Sequence, residues 1–306
     1  MNKTFDILVA GEINPDLVLA GNVVPEFGQV EKIVDDAALT IGSSSAIFAC
    51  GAARLGLKVA FIGVCGDDVF GRFMLDEMQK RDVDVSGVIV RPGGRTGLTV
   101  ILNQGTDRAI LTHPGLIGSL QASDISASFL QQARHLHVAS YFLQTDLQPG
   151  LPSLFRRARS LGITTSLDTN YDPSAEWLGF DDLISCTDVF LPNRTEALAI
   201  TQKMDVESAS KELAEKAGLV AIKLGEEGAL ACHNNRVTRS ESIPVHVVDT
   251  VGAGDSFDAG FLCGYLKGWL VKTSLRLACV CGALSTQKAG GTHGQPTLEQ
   301  AMQYVS

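Results

Sequence analysis

Short apolar runs alternate along the chain with segments of helical periodicity, and this alternation constrains the fold more than any other feature. Strand-like runs are predicted at residues 5–11, 59–64, 135–141, 163–168, 189–192 and 219–224. Helices are predicted at residues 45–55, 70–81, 151–161, 195–203, 207–217, 254–268 and 272–288. Strands that are apolar on both faces and alternate with helices form right-handed crossovers. The sequence therefore predicts an α/β fold, a three-layer domain with a mainly parallel central sheet and helices on both faces.

Two early stretches, approximately residues 13–40 and 92–114, break this rhythm because they contain strand-like segments without helices between them. In the second stretch, residues 97–102 and 108–112 are joined by a polar turn at 103–107, which is typical of a β-hairpin. The two insertions could form a small β-sheet lid, or they could be edge strands of the main sheet. Exposed lid strands invite pairing, so a homodimer through the lid is a further hypothesis.

The charge balance bears on which partners the chain can bind. Lys and Arg number 25 against 34 Asp and Glu, a formal net charge of -9, and aromatic residues make up 6%. A nucleic-acid surface needs clustered positive charge and stacking rings, so no nucleic-acid partner is expected. ATP remains possible, because converging backbone N–H groups can hold phosphate on a negative protein. The sequence shows neither an apolar stretch of spanning length nor a leader-like segment, which favours a cytoplasmic protein without a membrane partner.

The strongest local signal is DTVGAGDSFDAG at residues 249–260. A β-like run at 243–248 ends at an acidic residue, and two glycines flanking an alanine then precede a predicted helix. Small residues at a helix N-terminus let backbone N–H groups converge on an anion. Asp255 falls in the first helical turn, where a carboxylate can cap the helix or act as a general base in phosphoryl transfer. The residues alone leave both interpretations open.

Six motifs in a fixed order extend this signal over most of the chain. They are GEINPD at 11–16, the segment 42–56 ending in AARLG, GVCGDDVFG at 63–71, LPNRTE at 191–196, KLGEEG at 223–228 and DTVGAGDSFDAGF at 249–261. Together they resemble the ribokinase-like (PfkB) carbohydrate kinases. The resemblance implies a single kinase domain over residues 1–306 that transfers the γ-phosphate of ATP to a hydroxymethyl group of a neutral sugar or sugar acid.

The resemblance also implies a role for each matching residue. Asp255 would be the base, and the anion hole would consist of Gly252, Ala253 and Gly254. The nucleotide would be bound by Asn193, Lys223, Gly225, Gly228 and Thr250. Glu196 would organise Mg²⁺, and Asp249 would bind a monovalent cation, K⁺ being the candidate. The sugar would be bound by Asn14, Asp16, Gly42 and Ser43.

Several of these residues have simpler interpretations. Asn193 and Glu196 have the spacing of a capping box, Gly225 and Gly228 could form a tight turn, and Asp16 could be a solvent-facing loop carboxylate.

The chain departs from the family pattern on the substrate side. Ile47 stands where the family commonly has Asn, and no Lys lies near Ser44, so a neutral acceptor is favoured over a phosphorylated one. A nucleoside kinase is an alternative, which would need an aromatic platform such as Phe27, Tyr141 and Phe142. A non-catalytic sugar-sensing protein is a second alternative, although it would have no need of an intact Asp255.

Overall fold

The computed structural model describes residues 3–104, 107–172, 174–177, 179 and 181–305. Its strands are β1 Phe5–Ala10, β2 Pro15–Ala20, β3 Asp36–Ile41, β4 Val59–Ile62, β5 Val64–Gly66, β6 Val83–Asp84, β7 Ile89–Arg91, β8 Leu98–Gln104, β9 Asp107–His113, β10 Ala133–Val138, β11 Thr164–Leu167, β12 Val189–Phe190, β13 Leu219–Lys223, β14 Ala229–His233 and β15 Arg236–Ser240. Its helices are α1 Ser44–Arg54, α2 Val69–Gln79, α3 Ala127–Leu130, α4 Leu151–Ser160, α5 Asp181–Ile184, α6 Arg194–Thr201, α7 Val206–Lys216, α8 Ala253–Leu266, α9 Val271–Ser285 and α10 Leu298–Met302.

Nine of these strands form the central sheet, in the order β15-β14-β13-β12-β11-β10-β1-β4-β6. Every pair from β13 to β6 is parallel, which confirms the predicted mainly parallel sheet. The antiparallel strands β14 and β15 complete one edge and were not predicted.

The side chains of the central strands point alternately into two hydrophobic clusters. Ile7 and Val9 of β1 pack into a cluster with residues of α1, α2, α8 and α9. Leu8 and Ala10 pack into a second cluster, with residues of α3 to α7. Because successive strand residues face opposite sides of a sheet, the two clusters show that helices cover both faces. The predicted three-layer α/β architecture is confirmed.

One predicted strand ends earlier than expected, and another predicted strand does not form. The run at 135–141 ends as a strand at Val138, because Ser140 adopts a left-handed backbone conformation (φ 51°) and Tyr141 begins a short 3₁₀ turn. Residues 243–248 form no strand. This segment contains Pro244, which lacks an N–H donor, and its residues Val245 and Val247 line a cavity instead of pairing with β15.

The two insertions come together in one four-stranded sheet, in the order β3-β2-β8-β9. Strand β2 pairs with β3 from the same insertion and in parallel with β8 from the other. The alternative that these segments are edge strands of the main sheet is therefore wrong. Gly105 and Thr106 of the predicted turn at 103–107 lie outside the described residues.

The chain order places a crevice at the carboxyl end of β1. From β1 the chain proceeds to β4 on one side, whereas β10 pairs with β1 on the other side. The connections that follow β1 and β10 therefore run in opposite directions, which opens a crevice at the carboxyl ends of these strands. Ligands commonly bind in such a crevice. Among the described helices, none combines the length and apolar composition needed to cross a membrane.

Candidate active site

The predicted anion hole lies at the N-terminus of α8. Gly252 is the N-cap residue, with a left-handed backbone (φ 71°) that favours glycine. A Cβ at this position would lie 2.8 Å from both Gly291 Cα and Ile47 Cγ2, so the packing also requires glycine. No side chain caps this helix. The Ala253 N–H donates to the Thr250 carbonyl oxygen over a long 3.3 Å, and a first helical turn without a capping side chain offers backbone donors to an anion.

Asp255 lies in the first turn of α8 and is 8% exposed. Burial raises the pKa of its carboxyl group to about 8. The neighbouring carboxylates Asp168 and Glu12 also raise this pKa, whereas Lys223 and a hydrogen bond with Ser44 lower it. A carboxyl group with a pKa near neutral pH suits a general base that takes a proton from a hydroxyl group.

Lys223 occupies the centre of a buried charge cluster. Its ammonium group donates to Asp168 Oδ2 at 2.8 Å and to the two oxygens of Asp258 at 3.1 and 3.2 Å. A Cβ built on Gly254 would lie 3.8 Å from Lys223 Nζ, so the charge lies next to the anion hole. Burial lowers the pKa of Lys223, but Asp168 and Asp258 raise it above its ordinary value. The lysine that was predicted to bind the nucleotide is thus held by two aspartic acid side chains.

A cavity of about 780 Å³ extends from this cluster, and it is lined by residues from both motifs of the predicted nucleotide side. The predicted residues that line it are Lys223, Gly225, Gly228, Thr250, Ala253 and Gly254. Its other walls are mainly apolar and include Ile243, Val245, Phe257 and Ala283. An apolar slot that ends at backbone donors and a lysine suits a flat base joined to a phosphate chain.

Gly225 and Gly228 both have positive φ angles, 65° and 91°, but only one of them is tightly packed. A Cβ on Gly228 would lie 2.1 Å from the carbonyl oxygen of Ser240, whereas a Cβ on Gly225 would meet nothing within 4 Å. The turn alternative is partly correct, since Gly225–Glu227 forms a 3₁₀ turn. Gly228 additionally permits the close approach of the segment that lines the cavity.

Asn193 and Glu196 form a capping box at the start of α6, as their spacing indicated. The Glu196 carboxylate accepts from the Asn193 backbone N–H at 2.8 Å and from its side-chain amide at 2.5 Å. Burial, together with Asp168, raises the pKa of Glu196 to about 7. Each carboxylate oxygen has a second lone pair, and Mg²⁺ retains most of its waters in proteins, so Glu196 fits a Mg²⁺ ion held through water. Within the described residues, no cluster of His, Cys, Asp or Glu side chains could hold a metal alone.

Asp249 joins two loops beside the anion hole. Its carboxylate accepts from the Val251 N–H at 3.0 Å and from the Gly290 N–H at 2.9 Å. The glycine turn before α8 is therefore tied to the loop that follows α9. The carboxylate predicted to bind a monovalent cation thus lies between these two loops.

The predicted substrate residues lie where the smaller sheet meets the crevice. Asn14 donates its side-chain amide to Thr99 Oγ1 at 3.2 Å, and Asp16 pairs with Thr99 across β2 and β8. A Cβ on Gly42 would lie 2.1 Å from Asp16 Oδ1, so glycine is needed for this approach. Burial raises the pKa of Asp16 to about 7, while Arg108 lowers it. Asp16 is buried, so the alternative of a solvent-facing loop carboxylate is wrong.

Ser43 is the N-cap of α1, and its contacts point to residues that the sequence analysis missed. Its hydroxyl donates to the carboxylate of Glu12 at 3.0 Å. Glu12 also accepts from Ser140, and the Asn170 side chain contacts Ser44, whereas Asp168 and Asp258 hold Lys223. Glu12 and Asp258 are charged residues inside two of the recognised motifs, a signal that could have identified them. Ser140 and Asn170 carry no such signal.

Of the three rings suggested as a platform for a nucleoside, Phe27 lies apart from the other two, and Phe142 also meets Trp177 edge-on at 5.5 Å. Phe27 is 99% exposed, so no neighbouring ring covers it. Tyr141 packs into one of the two hydrophobic clusters, and Phe142 meets its ring edge-on at 5.1 Å.

The site at the carboxyl end of β1 therefore combines three features. They are the mainly apolar cavity, the N-terminus of α8, which has no capping side chain, and the buried carboxyl group of Asp255. That combination defines a small-molecule phosphotransferase. The family model described as pfkB family carbohydrate kinase matches residues 6–298. The chain belongs to this family of carbohydrate kinases.

Individual proteins support this assignment. The chain is 33% identical over 254 residues to a protein named "Uncharacterized sugar kinase" from Archaeoglobus fulgidus, covering 80% of this chain and 98% of the relative. It is 31% identical over 296 residues to 2-dehydro-3-deoxygluconokinase of Bacillus subtilis, covering 92% and 91%. A solved structure of a putative Ribokinase II from E. coli in complex with ATP and Mg²⁺ has a TM-score of 0.87 at 24% identity, covering 100% of this chain and 99% of that one. This last similarity, to the solved structure, supports the assignment of the fold.

Proposed function

We propose that the protein transfers the γ-phosphate of ATP to a hydroxymethyl group of a sugar or sugar acid, with Asp255 as the general base. The observation that carries this proposal is the position of the buried Asp255 in the first turn of an α8 whose N-cap Gly252 has no capping side chain. The base and the anion hole thus lie within one helical turn. Asp255 takes the proton of the acceptor hydroxyl, and the N–H groups of Gly252, Ala253 and Gly254 stabilise charge on the transferred group.

The two ends of the crevice suit the two substrates. The cavity beside Lys223 and Gly228 takes the nucleotide, with Thr250 and Asn193 at its phosphate end. Asn14, Asp16, Gly42 and Ser43 hold the sugar, because one carboxylate can accept hydrogen bonds from two neighbouring hydroxyls. When bound, Mg²⁺ neutralises charge on the phosphates, and Glu196 is the residue that would hold it through water. We place a K⁺ ion beside Asp249.

The smaller sheet acts as a lid over a single domain of residues 1–306. Closing it would exclude water, which protects the phosphoryl group from hydrolysis. Its face opposite Asp16 is apolar and includes Leu17, Val100, Leu39 and Leu111 by strand register. Leu39 is 37% exposed and Leu111 is 62% exposed. A second copy of this chain would cover that face, so we propose a homodimer through the lid. As an enzyme that uses ATP, it would work in the cytoplasm.

ADP release with ATP and Mg²⁺ tests the function. The acceptor panel comprises 2-dehydro-3-deoxygluconate, 5-dehydro-2-deoxygluconate, ribose, ribose 1-phosphate and adenosine, because relatives are named as kinases of such compounds. Each is assayed with K⁺ and with tetramethylammonium in its place. We expect one sugar or sugar acid to be phosphorylated, and Asp255→Asn to lose about 10²–10⁴ in kcat while still binding ATP. Near-normal turnover by Asp255→Asn would refute the role of the base.

A further inference from the structure

Glu12 is a buried carboxylate, 2% exposed, that follows β1 and accepts hydrogen bonds from two other segments. Its Oε1 accepts from Ser43 Oγ at 3.0 Å, from the Ser45 N–H at 3.2 Å and from Ser140 Oγ at 2.9 Å. Its Oε2 accepts from Ser45 Oγ at 2.6 Å. One side chain therefore joins the end of β1, the turn that begins α1 and the segment after β10. The proposed function gives it no role.

Two of the segments that Glu12 joins are conformationally strained. Ser43 and Ser140 have left-handed backbones, with φ angles of 65° and 51°, which cost non-glycine residues about 1–3 kcal/mol each. Such conformations persist only where the surroundings fix them. The hydroxyl groups of both serines meet Glu12, which supplies that constraint. Ser140 Oγ donates to the carboxylate at 2.9 Å, whereas Ser43 Oγ lies 3.0 Å from the carboxylate and 2.7 Å from the Glu12 backbone carbonyl oxygen.

The strained segments carry the acceptor side of the proposed site. Gly42 and Ser43 are proposed sugar-binding residues. The Asn170 side chain contacts Ser140 Oγ at 3.3 Å and Ser44 Oγ at 2.5 Å. The segments that Glu12 joins therefore lie next to Ser44, and Ser44 lowers the pKa of Asp255.

We propose that Glu12 is a positioning residue that holds the turns at 42–45 and 139–140 in the geometry that binds the acceptor and orients Asp255. This inference rests on the proposed kinase function, and it makes the acceptor side dependent on a residue that touches neither substrate. Glu12 does not line the nucleotide cavity. Loss of the network therefore weakens acceptor binding while leaving ATP binding intact.

The charge of Glu12 has a separate effect, because Asp255 lies among several charged groups. The pKa of Asp255 is raised by Asp168 after β11 and by Glu12 after β1, and it is lowered by Lys223 on β13. Asp255 in turn raises the pKa of Asp258 on α8. Removing the negative charge of Glu12 removes one cause that raises the pKa of Asp255. The acidic limb of the pH profile of kcat/KM then moves to lower pH.

Two substitutions separate these effects. In Glu12→Gln, the amide oxygen can keep the three contacts of Oε1, while its NH₂ group faces Ser45 Oγ, which can rotate to accept. This variant removes the charge and keeps the network, whereas Glu12→Ala removes both. Steady-state kinetics use the panel acceptor that the wild type phosphorylates fastest, and hydrogen exchange follows residues 42–46 and 139–141 without any ligand.

We expect Glu12→Ala to raise the KM for the acceptor about tenfold or more while the KM for ATP stays within about twofold, because displaced positioning groups cost rate and binding. Its amides at 42–46 and 139–141 should exchange faster. Glu12→Gln should keep a near-normal acceptor KM and shift the acidic limb to lower pH. A folded Glu12→Ala with wild-type acceptor KM and exchange, or a Glu12→Gln with an unmoved limb, would overturn the inference. Failure of the kinase proposal is distinct, since the wild type would then phosphorylate no acceptor.

Discussion

Replacing Asp258 by Asn tests how charge is distributed in the cluster around Lys223. Lys223 contacts both Asp168 and Asp258, yet the two carboxyl groups differ in pKa. The pKa of Asp168 is lowered, against the effect of burial, by Lys223 and by a hydrogen bond from Asp258. The pKa of Asp258 is raised well above its ordinary value by burial and by Asp168 and Asp255. Asp258 therefore takes up a proton at a higher pH than Asp168, and we predict that Asp168 is the charged partner of Lys223.

Asn is close to a protonated Asp in shape and bonding. Its NH₂ group can donate to Asp168 and its oxygen can accept from Lys223, so the substitution should cost about 1 kcal/mol or less. The pH dependence has a definite sign. A folded pKa above the ordinary 3.8 of Asp258 stabilises the fold fully below about pH 4 and progressively less as the pH rises toward the folded pKa. The wild type loses up to about 1.4 kcal/mol per pH unit from this group, and Asp258→Asn does not.

The assay is urea denaturation of both proteins at pH 5, 7 and 8.5, with Lys223→Met as the matched variant. Asp258→Asn should gain stability relative to the wild type as the pH rises and should retain kinase activity. Lys223→Met should lose about 3–5 kcal/mol, because it leaves the buried Asp168 charge without a partner. If Asp258→Asn lost 3 kcal/mol or more at pH 8.5, Asp258 would be the charged partner of Lys223 and the reasoning would be refuted.

Two other substitutions test the site and the assembly. Gly228→Ala should raise the KM for ATP about tenfold, since its Cβ would lie 2.1 Å from the Ser240 carbonyl oxygen and displace the cavity wall. Gly268→Ala also has a positive φ and open space and does not line the cavity, so it is the matched control, and equal effects would contradict the steric argument. Leu111→Lys should convert a dimer to a monomer on a sizing column, because it places a charge on the apolar lid face. A monomeric wild type, or a Leu111→Lys variant that stays dimeric, would contradict the proposed interface.

Some site residues could be predicted from local sequence because their neighbours in the chain determine their environment. Gly252, Ala253, Gly254 and Asp255 are contiguous, so the glycine turn and the following helix already bring donors and base together. The capping box of Asn193 and Glu196 is likewise a local pattern that the structure contains. The spacing of Asn193 and Glu196 predicts the capping box, but it does not show whether the Glu196 carboxylate also faces phosphates.

Other site residues could not be predicted, because the contacts that give them a role are distant in the chain. Glu12 meets Ser140 across 128 residues, and Lys223 meets Asp168 across 55. The strand prediction at 243–248 is wrong for the same reason. Its apolar residues fit a strand pattern, but Val245 and Val247 line the cavity and the segment pairs with no strand.

The sequence by itself determined the layers, since apolar strands buried on both faces must alternate with helices that cover them. It also determined where phosphate could bind, since glycine at a helix N-cap leaves backbone donors free. Only the tertiary structure decided that the two insertions share one sheet and that Asp168 and Asp258, which both contact Lys223, differ in pKa. Strand pairing and the pKa of a buried group depend on which distant groups come together and on the water that they exclude. Periodicity and spacing along the chain do not encode either quantity.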